Sequence, residues 1–136
     1  MGRVLLALAL AVQVSAVPMT VLAQDPMSRV DQARTAVARS AAEWESLWRD
    51  HAGQAPRPPV DFSTSMVAAV FLGSRPTGGI SAEIVGTRRA DDAVVIEWTE
   101  KRPGPGQVAP PVLTSPAVLV QMPRVEGAIR FEKVSK

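Results

Sequence analysis

The apolar run Met66–Leu72 constrains the fold of this chain more than any other segment. Its sequence, MVAAVFL, contains no polar side chain, and Gly73 follows it directly. A strand with one face in water alternates apolar and polar residues, whereas a strand covered on both faces is apolar throughout. We therefore expect a central β-strand here, with other parts of the chain packed against both of its faces.

A helix is predicted before this strand. Ser40-Ala41-Ala42-Glu43 fits the S-x-x-E capping box, in which the two polar side chains bond to free backbone N–H groups. Large side chains then follow at the spacing of one helical face, namely Trp44, Leu47, Trp48 and His51. Because Gly53 and Pro56 favour termination, the helix is predicted over residues 41–51.

A β-hairpin is predicted from alternating apolar residues around positions 80–84 and 94–98, with a turn at Ala90–Asp92. A plain two-residue turn at Asp91-Asp92 would put Ile84 and Ile96 on opposite faces of the hairpin. A three-residue loop, or a bulge, places Ile84 opposite Trp98 and keeps both apolar sets in the core. We expect one of these two arrangements.

The remaining segments complete an α+β fold. Residues 33–39 fit a strand or an early helical turn, and residues 117–122 and 128–134 fit a last pair of strands around Glu126-Gly127. Between the two strand pairs, Pro103–Pro111 contains four prolines and two glycines, which is typical of a surface loop. The prediction is one N-terminal helix packed on a mostly antiparallel β-sheet of five or six strands, forming a single domain over residues 33–136.

The first residues are typical of an export signal. Arg3 precedes the apolar run Val4–Val12, and Val21-Leu22-Ala23 offers small residues for cleavage before Gln24. An uncleaved membrane anchor is the alternative, although polar residues and a proline interrupt the apolar stretch. We predict a signal peptide over residues 1–23, a flexible arm over 24–32 and a periplasmic or secreted protein without a stable membrane anchor after cleavage.

Composition excludes several kinds of chemistry. The chain of 136 residues has no cysteine and one histidine, so it has no thiol nucleophile, disulfide or multi-histidine metal site. Its 15 basic and 13 acidic residues nearly balance, and no basic stripe alternates with aromatic residues, so nucleic-acid binding is not expected. No metal and no cofactor is expected, and the free protein is predicted to be monomeric.

His51 is the single candidate for acid–base catalysis. A Ser-His-Asp site would need a serine and a carboxylate beside it, and the neighbour Asp50 points off another helical face. A simpler role for His51 is packing at the end of the helix. We therefore predict no catalytic residue, with a hydrolase that uses His51 as the enzyme alternative.

The segment Gly73–Gly79, GSRPTGG, joins two predicted strands. Its glycines fit a tight turn. A phosphate-binding loop is not indicated, because no helical pattern follows the glycines. Loops held by a rigid sheet are common places for partner contacts.

Five short stretches of the chain resemble a known domain. They are Trp44…Trp48, Val60-Asp61-Phe62, Phe71-Leu72-Gly73, Arg75-Pro76-Thr77-Gly78-Gly79 and Thr114-Ser115-Pro116. Together they resemble the C-terminal domain of the PrcB-like family, named for a subunit that stabilises a secreted protease complex. The resemblance runs from about Ala33 to Phe131, although the family usually has an aromatic residue where this chain has Ile80.

This resemblance implies a non-catalytic protein whose partner is an exported peptidase. The contact surface is predicted to combine the Pro103–Pro111 loop with these residues: Arg75, Pro76, Thr77, Gly78, Gly79, Arg102 and Pro103. Arg75 is the predicted polar anchor, since interfaces are rich in arginine and a rigid loop loses little entropy on docking.

A second resemblance implies a different role. Chagasin-type inhibitors of papain-like peptidases present a Pro-Thr-Thr-Gly-aromatic loop to the cleft of the enzyme. Pro76-Thr77-Gly78-Gly79-Ile80 is a loose version of that loop. Arg102-Pro103 loosely resembles their Arg-Pro-aromatic loop, with Gly104 in the place of the aromatic residue. Peptidase inhibition through the Pro76–Gly79 loop is therefore the alternative function.

Overall fold

The computed structural model describes residues 17–135 as one helix and seven strands in two sheets. The elements, in chain order, are β1 (Thr20–Asp25), β2 (Arg34–Ala38), α1 (Ala41–Ala52), β3 (Ser65–Phe71), β4 (Ser81–Ala90), β5 (Ala93–Lys101), β6 (Ala117–Pro123) and β7 (Ala128–Lys133). The four-stranded sheet has the order β1-β6-β3-β2, and the three-stranded sheet has the order β4-β5-β7.

β3 lies inside the four-stranded sheet and is covered on both faces, as its unbroken apolar sequence predicts. Met66, Ala68 and Val70 pack in the core between the two sheets, where they meet Ile96 of β5. The alternate residues of β3 pack in a second core against α1. The domain therefore has three layers, with the four-stranded sheet between the helix and the three-stranded sheet.

The predicted helix is confirmed, including its cap. Ser40 Oγ accepts a hydrogen bond from the Glu43 N–H at 3.2 Å, and Glu43 Oε1 accepts one from the Arg39 N–H at 2.7 Å. The indole N–H groups of Trp44 and Trp48 donate to backbone carbonyls of the following linker. Both tryptophans are buried against the sheet, so they act as core contacts.

The predicted hairpin of β4 and β5 has the expected register, and a bulge produces it. Ala90 pairs with Ala93 across a two-residue turn in which Asp91 has φ 56°. The register then shifts between Ile84 and Gly86, which brings Ile84 opposite Trp98. The bulge thus restores the alignment of apolar residues that the short turn alone would have broken.

The predicted combination of one helix with mostly antiparallel strands is confirmed, whereas two details of the sheets differ from the prediction. There are two sheets rather than one of five or six strands, and β6 and β7 do not pair with each other. β6 lies in the four-stranded sheet, whereas β7 runs parallel to β5 in the other sheet. Arg39 donates to the Val125 and Gly127 carbonyls, both at 2.6 Å. These bonds fix the connection between β6 and β7, which crosses from one sheet to the other. Alternating apolar and polar residues indicate a strand but do not identify the strand that it pairs with. The sequence therefore did not show that β7 pairs with β5 and not with β6.

Residues 24–32 were predicted to form a flexible arm, but in the structure they form hydrogen bonds with the rest of the domain. Gln24 and Asp25 belong to β1, and Gln24 Nε2 donates to the Ala82 carbonyl at 2.8 Å. The Ser28 N–H donates to the Ser115 carbonyl at 2.8 Å, and the Arg29 N–H to the His51 carbonyl at 2.9 Å. Most of these hydrogen bonds are formed by backbone groups, so the pattern of side chains in the sequence does not predict them. Within residues 17–135, no helix is long and apolar enough to cross a membrane.

Candidate functional site

The two segments predicted to contact a partner lie side by side. We call residues 73–79 the glycine loop and residues 102–114 the proline loop. Arg75 and Thr114 exchange two backbone hydrogen bonds of 2.8 Å, and the Gly78 N–H donates to the Pro110 carbonyl at 2.8 Å. Thr114 Oγ1 also donates to the Thr77 carbonyl at 2.9 Å. These bonds make one continuous surface from two loops that are distant in the sequence.

Close packing explains the glycines of this surface. Gly79 has φ +81°, and a Cβ placed there would lie 2.8 Å from Pro103 Cγ. A Cβ at Gly78 would lie 3.4 Å from side-chain atoms of Pro110 and Val112. A side chain at Gly79 would therefore strain the backbone and push the proline loop away. Ile80, which directly follows the glycine loop, is buried in the core between the sheets.

Arg75, predicted as the polar anchor for a partner, is bonded within the domain itself. Its Nε and Nη2 donate to the two carboxylate oxygens of Glu100 at 3.0 and 2.9 Å. Its Nη1 donates to the Leu72 and Ser74 carbonyls, both at 3.0 Å. Because Glu100 is on β5 and Arg75 follows β3, this pair ties the glycine loop to the opposite sheet.

Glu100 is a buried carboxylate surrounded by cations. Its side chain is 5% exposed, and besides Arg75 it lies 2.7 Å from Arg102 Nη2 and 3.6 Å from Lys133 Nζ. The pKa of Glu100 is lowered to about 2, chiefly by the hydrogen bonds from Arg75 and against the opposing effect of burial. Arg102 and Lys133 are themselves largely exposed, so the surface beside the proline loop carries excess positive charge.

The proline loop carries apolar side chains in contact with solvent. Val108 is 87% exposed and Leu113 is 69% exposed, and Val112 is also exposed. Single exposed apolar residues are common in proteins, but three within six residues form a concentrated group. The loop is internally bonded as well, since the Gly104 N–H donates to Gln107 Oε1 at 2.7 Å. The predicted contact residues Arg102 and Pro103 begin this loop.

The structure brings a serine and a carboxylate to His51, and neither was identified from the sequence. Ser28 Oγ lies 2.8 Å from His51 Nδ1, and Asp25 Oδ2 lies 3.6 Å from His51 Nε2. Asp50 instead forms an ion pair with Arg34 at the surface. Ser28 is 23 positions away along the chain, and no pattern in the sequence connects it with His51.

The geometry at His51 favours a structural role. The hydroxyl of Ser28 also accepts the Val30 N–H at 3.0 Å, and both Ser28 and His51 are buried. In a Ser-His-Asp site the serine bonds to Nε2 and the carboxylate to Nδ1, which is the reverse of this order. Burial lowers the pKa of His51, with a smaller opposing effect from Asp25. The neutral imidazole of His51 therefore holds residues 25–30 against the end of α1.

Residues 66–123 match the family model of the PrcB C-terminal domain. This segment is therefore similar to the PrcB C-terminal domain. The match begins within β3 and ends with β6, so it includes both loops together with Arg75 and Glu100. It covers less than half of the chain and leaves out α1 and strands β1, β2 and β7. No curated protein and no solved structure matches the chain.

Replacing the buried carboxylate of Glu100 tests its contribution to the stability of the domain. Glu100→Gln is expected to lower the free energy of unfolding at pH 7 by about 2 kcal/mol, because Arg75 loses a charged partner. In the original protein the unfolded chain takes up a proton near pH 4.5 while folded Glu100 stays charged to about pH 2. Its stabilisation is therefore full above about pH 5 and is lost as the pH falls towards 2.

Urea titrations from pH 7 to pH 2 measure both effects. Glu100→Gln should show a shallower loss of stability between pH 5 and pH 2 than the original protein. Glu45→Gln is the matched control, since Glu45 forms an exposed ion pair with Arg49 on α1. A curve for Glu100→Gln that coincides with that of the control would contradict the assignment.

The single histidine allows a second pH test. Because the pKa of His51 is lowered in the folded state, the unfolded chain binds a proton first as the pH falls below 6.5. Stability should thus be full above pH 6.5 and decline below it, and this decline should be absent in His51→Gln. NMR of the imidazole should show a folded-state pKa below 6.5. A pKa at or above 6.5 would disprove the prediction.

Proposed function

We propose that this protein is an exported, non-catalytic protein-binding domain that stabilises or assembles an extracytoplasmic protease complex. The observation that carries the proposal is the joined surface of the glycine and proline loops, which presents exposed apolar side chains from a backbone held in place. The PrcB-like family supports a protease complex as the setting. The leader predicted at the N-terminus supports export.

Rigid loops make this surface suitable for docking. Binding by a flexible loop costs the entropy of ordering it, and the hydrogen bonds of Arg75, Gly78 and Thr114 have already removed much of that freedom. Burying Val108 and Leu113 against a partner would then contribute about 25 cal/mol for each Å² of apolar surface removed from water. The surface therefore has both a source of binding energy and a low ordering cost.

The charges beside the loops indicate the chemistry of the partner. Three cations surround the one carboxylate of Glu100, and the exposed two, Arg102 and Lys133, lie at the start of the proline loop and at the end of β7. Complementary charge speeds association and selects the partner. The preferred contact region of the peptidase is accordingly an apolar patch with carboxylates at its edge.

Arg75 has a supporting role in this proposal. Its donors are used by Glu100 and by two backbone carbonyls, so it positions the loops and does not itself bind the partner. The contact residues proper are those exposed on the proline loop. The arrangement at His51 supports a non-catalytic role, because the serine that bonds to the imidazole, Ser28, is buried and bonds to Nδ1 instead of Nε2.

Affinity capture tests this proposal. The mature protein, purified from the exported fraction and immobilised, should retain a peptidase that remains active. Leu113→Ser is expected to weaken binding about tenfold with an unchanged melting temperature, since a central interface side chain contributes more than 1 kcal/mol. Val85→Ser, which changes an exposed valine on β4, is the matched control and should bind like the original protein.

Each other outcome overturns part of the proposal. A retained but inactive peptidase would indicate the chagasin-like inhibitor instead of a stabilising subunit. Equal binding by Leu113→Ser and the original protein would exclude the proline loop as the contact. If no peptidase is retained from the organism's own exported fraction, the protease partner itself is contradicted.

A further inference from the structure

Strand β1 crosses the position at which the sequence predicts removal of the leader. It pairs with β6 at one edge of the four-stranded sheet, with Val21 opposite Val120 and Gln24 opposite Val118. Cleavage between Ala23 and Gln24 would remove Thr20 to Ala23 from the strand and leave two of its six residues. The predicted boundary and the fold therefore conflict.

Residues 17–23 contribute side chains to both cores. Val17 and Met19 pack against the core between the sheets, whereas Leu22 and Ala23 pack against the core beneath α1. The register shift between Val21 and Ala23 allows the neighbouring residues Leu22 and Ala23 to face the same layer. A chain beginning at Gln24 would lose all four side chains and would expose apolar surface on both sides of β6.

The backbone of β6 also depends on these residues. β6 has β3 on one side and β1 on the other, so removal of residues 20–23 would leave its outer N–H and C=O groups without strand partners. An open edge beside apolar residues promotes pairing with other chains and aggregation. The exported domain would then lack most of the strand that forms this edge of the sheet.

Residue 17 is placed where a new N-terminus would fit. The backbone nitrogen of Val17 donates to Thr87 Oγ1 of β4 at 3.2 Å. An α-ammonium group at Val17 carries three N–H donors, so it can keep this hydrogen bond to Thr87 Oγ1. Val17, the first residue that the structure describes, is thus also able to be the first residue of the mature chain.

The sequence offers a second cleavage site at this place. Val14-Ser15-Ala16 and Val21-Leu22-Ala23 both follow the pattern Val-x-Ala, with a small residue before the bond to be cut. The first of the two triplets ends four residues after the apolar run Val4–Val12, and a leader ending there has a length typical of signal peptides. Sequence patterns permit both sites, and the fold distinguishes between them.

We infer that the leader ends at Ala16 and that the mature protein begins at Val17. A signal peptidase hydrolyses the Ala16–Val17 peptide bond, consuming one water and leaving a carboxylate on Ala16 and an α-ammonium on Val17. The complete strand β1 remains with the domain. This inference rests on the export part of the proposed function and is independent of the identity of the partner.

The N-terminus of the exported protein tests this inference. The full-length chain, with a C-terminal tag, is expressed in a bacterium with a periplasm, and the periplasmic product is analysed by intact mass and N-terminal sequencing. A chain that starts at Val17 is expected. A periplasmic chain that starts at Gln24 would overturn the cleavage site and leave export standing, whereas a full-length chain confined to the cytoplasm or membrane would overturn both.

Two variants make the test independent of folding, because cleavage precedes folding outside the membrane. Ala16→Leu places a large residue before the inferred bond and should cause the uncleaved precursor to accumulate. Ala23→Leu, the matched change at the other site, should be processed at Val17 like the original protein. The opposite pattern would contradict the inference.

The stability of the two possible products gives a second readout. A purified chain starting at Val17 should melt at a clearly higher temperature than one starting at Gln24, which is expected to aggregate or to unfold earlier. Equal melting temperatures would show that residues 17–23 are dispensable and would remove the basis of the inference.

Discussion

The hydrogen-bonded pair of Arg75 and Glu100 determines how the loops sit relative to the two sheets. Arg75 follows a strand of one sheet and Glu100 lies on a strand of the other, so two bonds of about 3 Å connect the layers at this end of the domain. The desolvation of a buried ion pair offsets much of its attraction, so its main contribution here is geometric. With Arg75 in place, its backbone can pair with Thr114, and this pairing brings the proline loop alongside.

The layered core provides the rigid support for this arrangement. β3 and β6 run side by side and are covered by α1 on one face and by the three-stranded sheet on the other. The glycine loop leaves the end of β3, and the proline loop leads into the start of β6, so both loops are attached to the two most buried strands. Movement of the loop surface therefore requires disturbance of the core.

Local physical chemistry predicted much of the fold. The capping box at Ser40 predicted the helix, the unbroken apolar run predicted a strand covered on both faces, and the alternation at Ile84 and Trp98 predicted the hairpin register. The separation into two sheets was missed because alternation does not specify a partner strand. The arm at residues 24–32 was misjudged because backbone hydrogen bonds hold it, and these do not depend on a recognisable side-chain pattern.

The two loops were recognised from the sequence, but the contacts that their side chains make within the domain were not. Proline and glycine content identified both loops, and the structure places them together. Arg75 was predicted as the polar anchor because interfaces are rich in arginine, and in the structure its side chain is bonded to Glu100, 25 positions away on β5. The link between Ser28 and His51 depends on the path of the chain after β1, which the sequence does not show. Long-range contacts of this kind required the structure.

Hydrogen exchange of the free domain tests the central claim, that the two loops form one preorganised surface. The amides of Arg75, Gly78 and Thr114 donate across the loop pair and should exchange slowly, as strand amides do. In Glu100→Gln these three amides should lose protection while amides within β3 remain protected. Rapid exchange of all three in the original protein would show that the loops move independently, and would contradict the account.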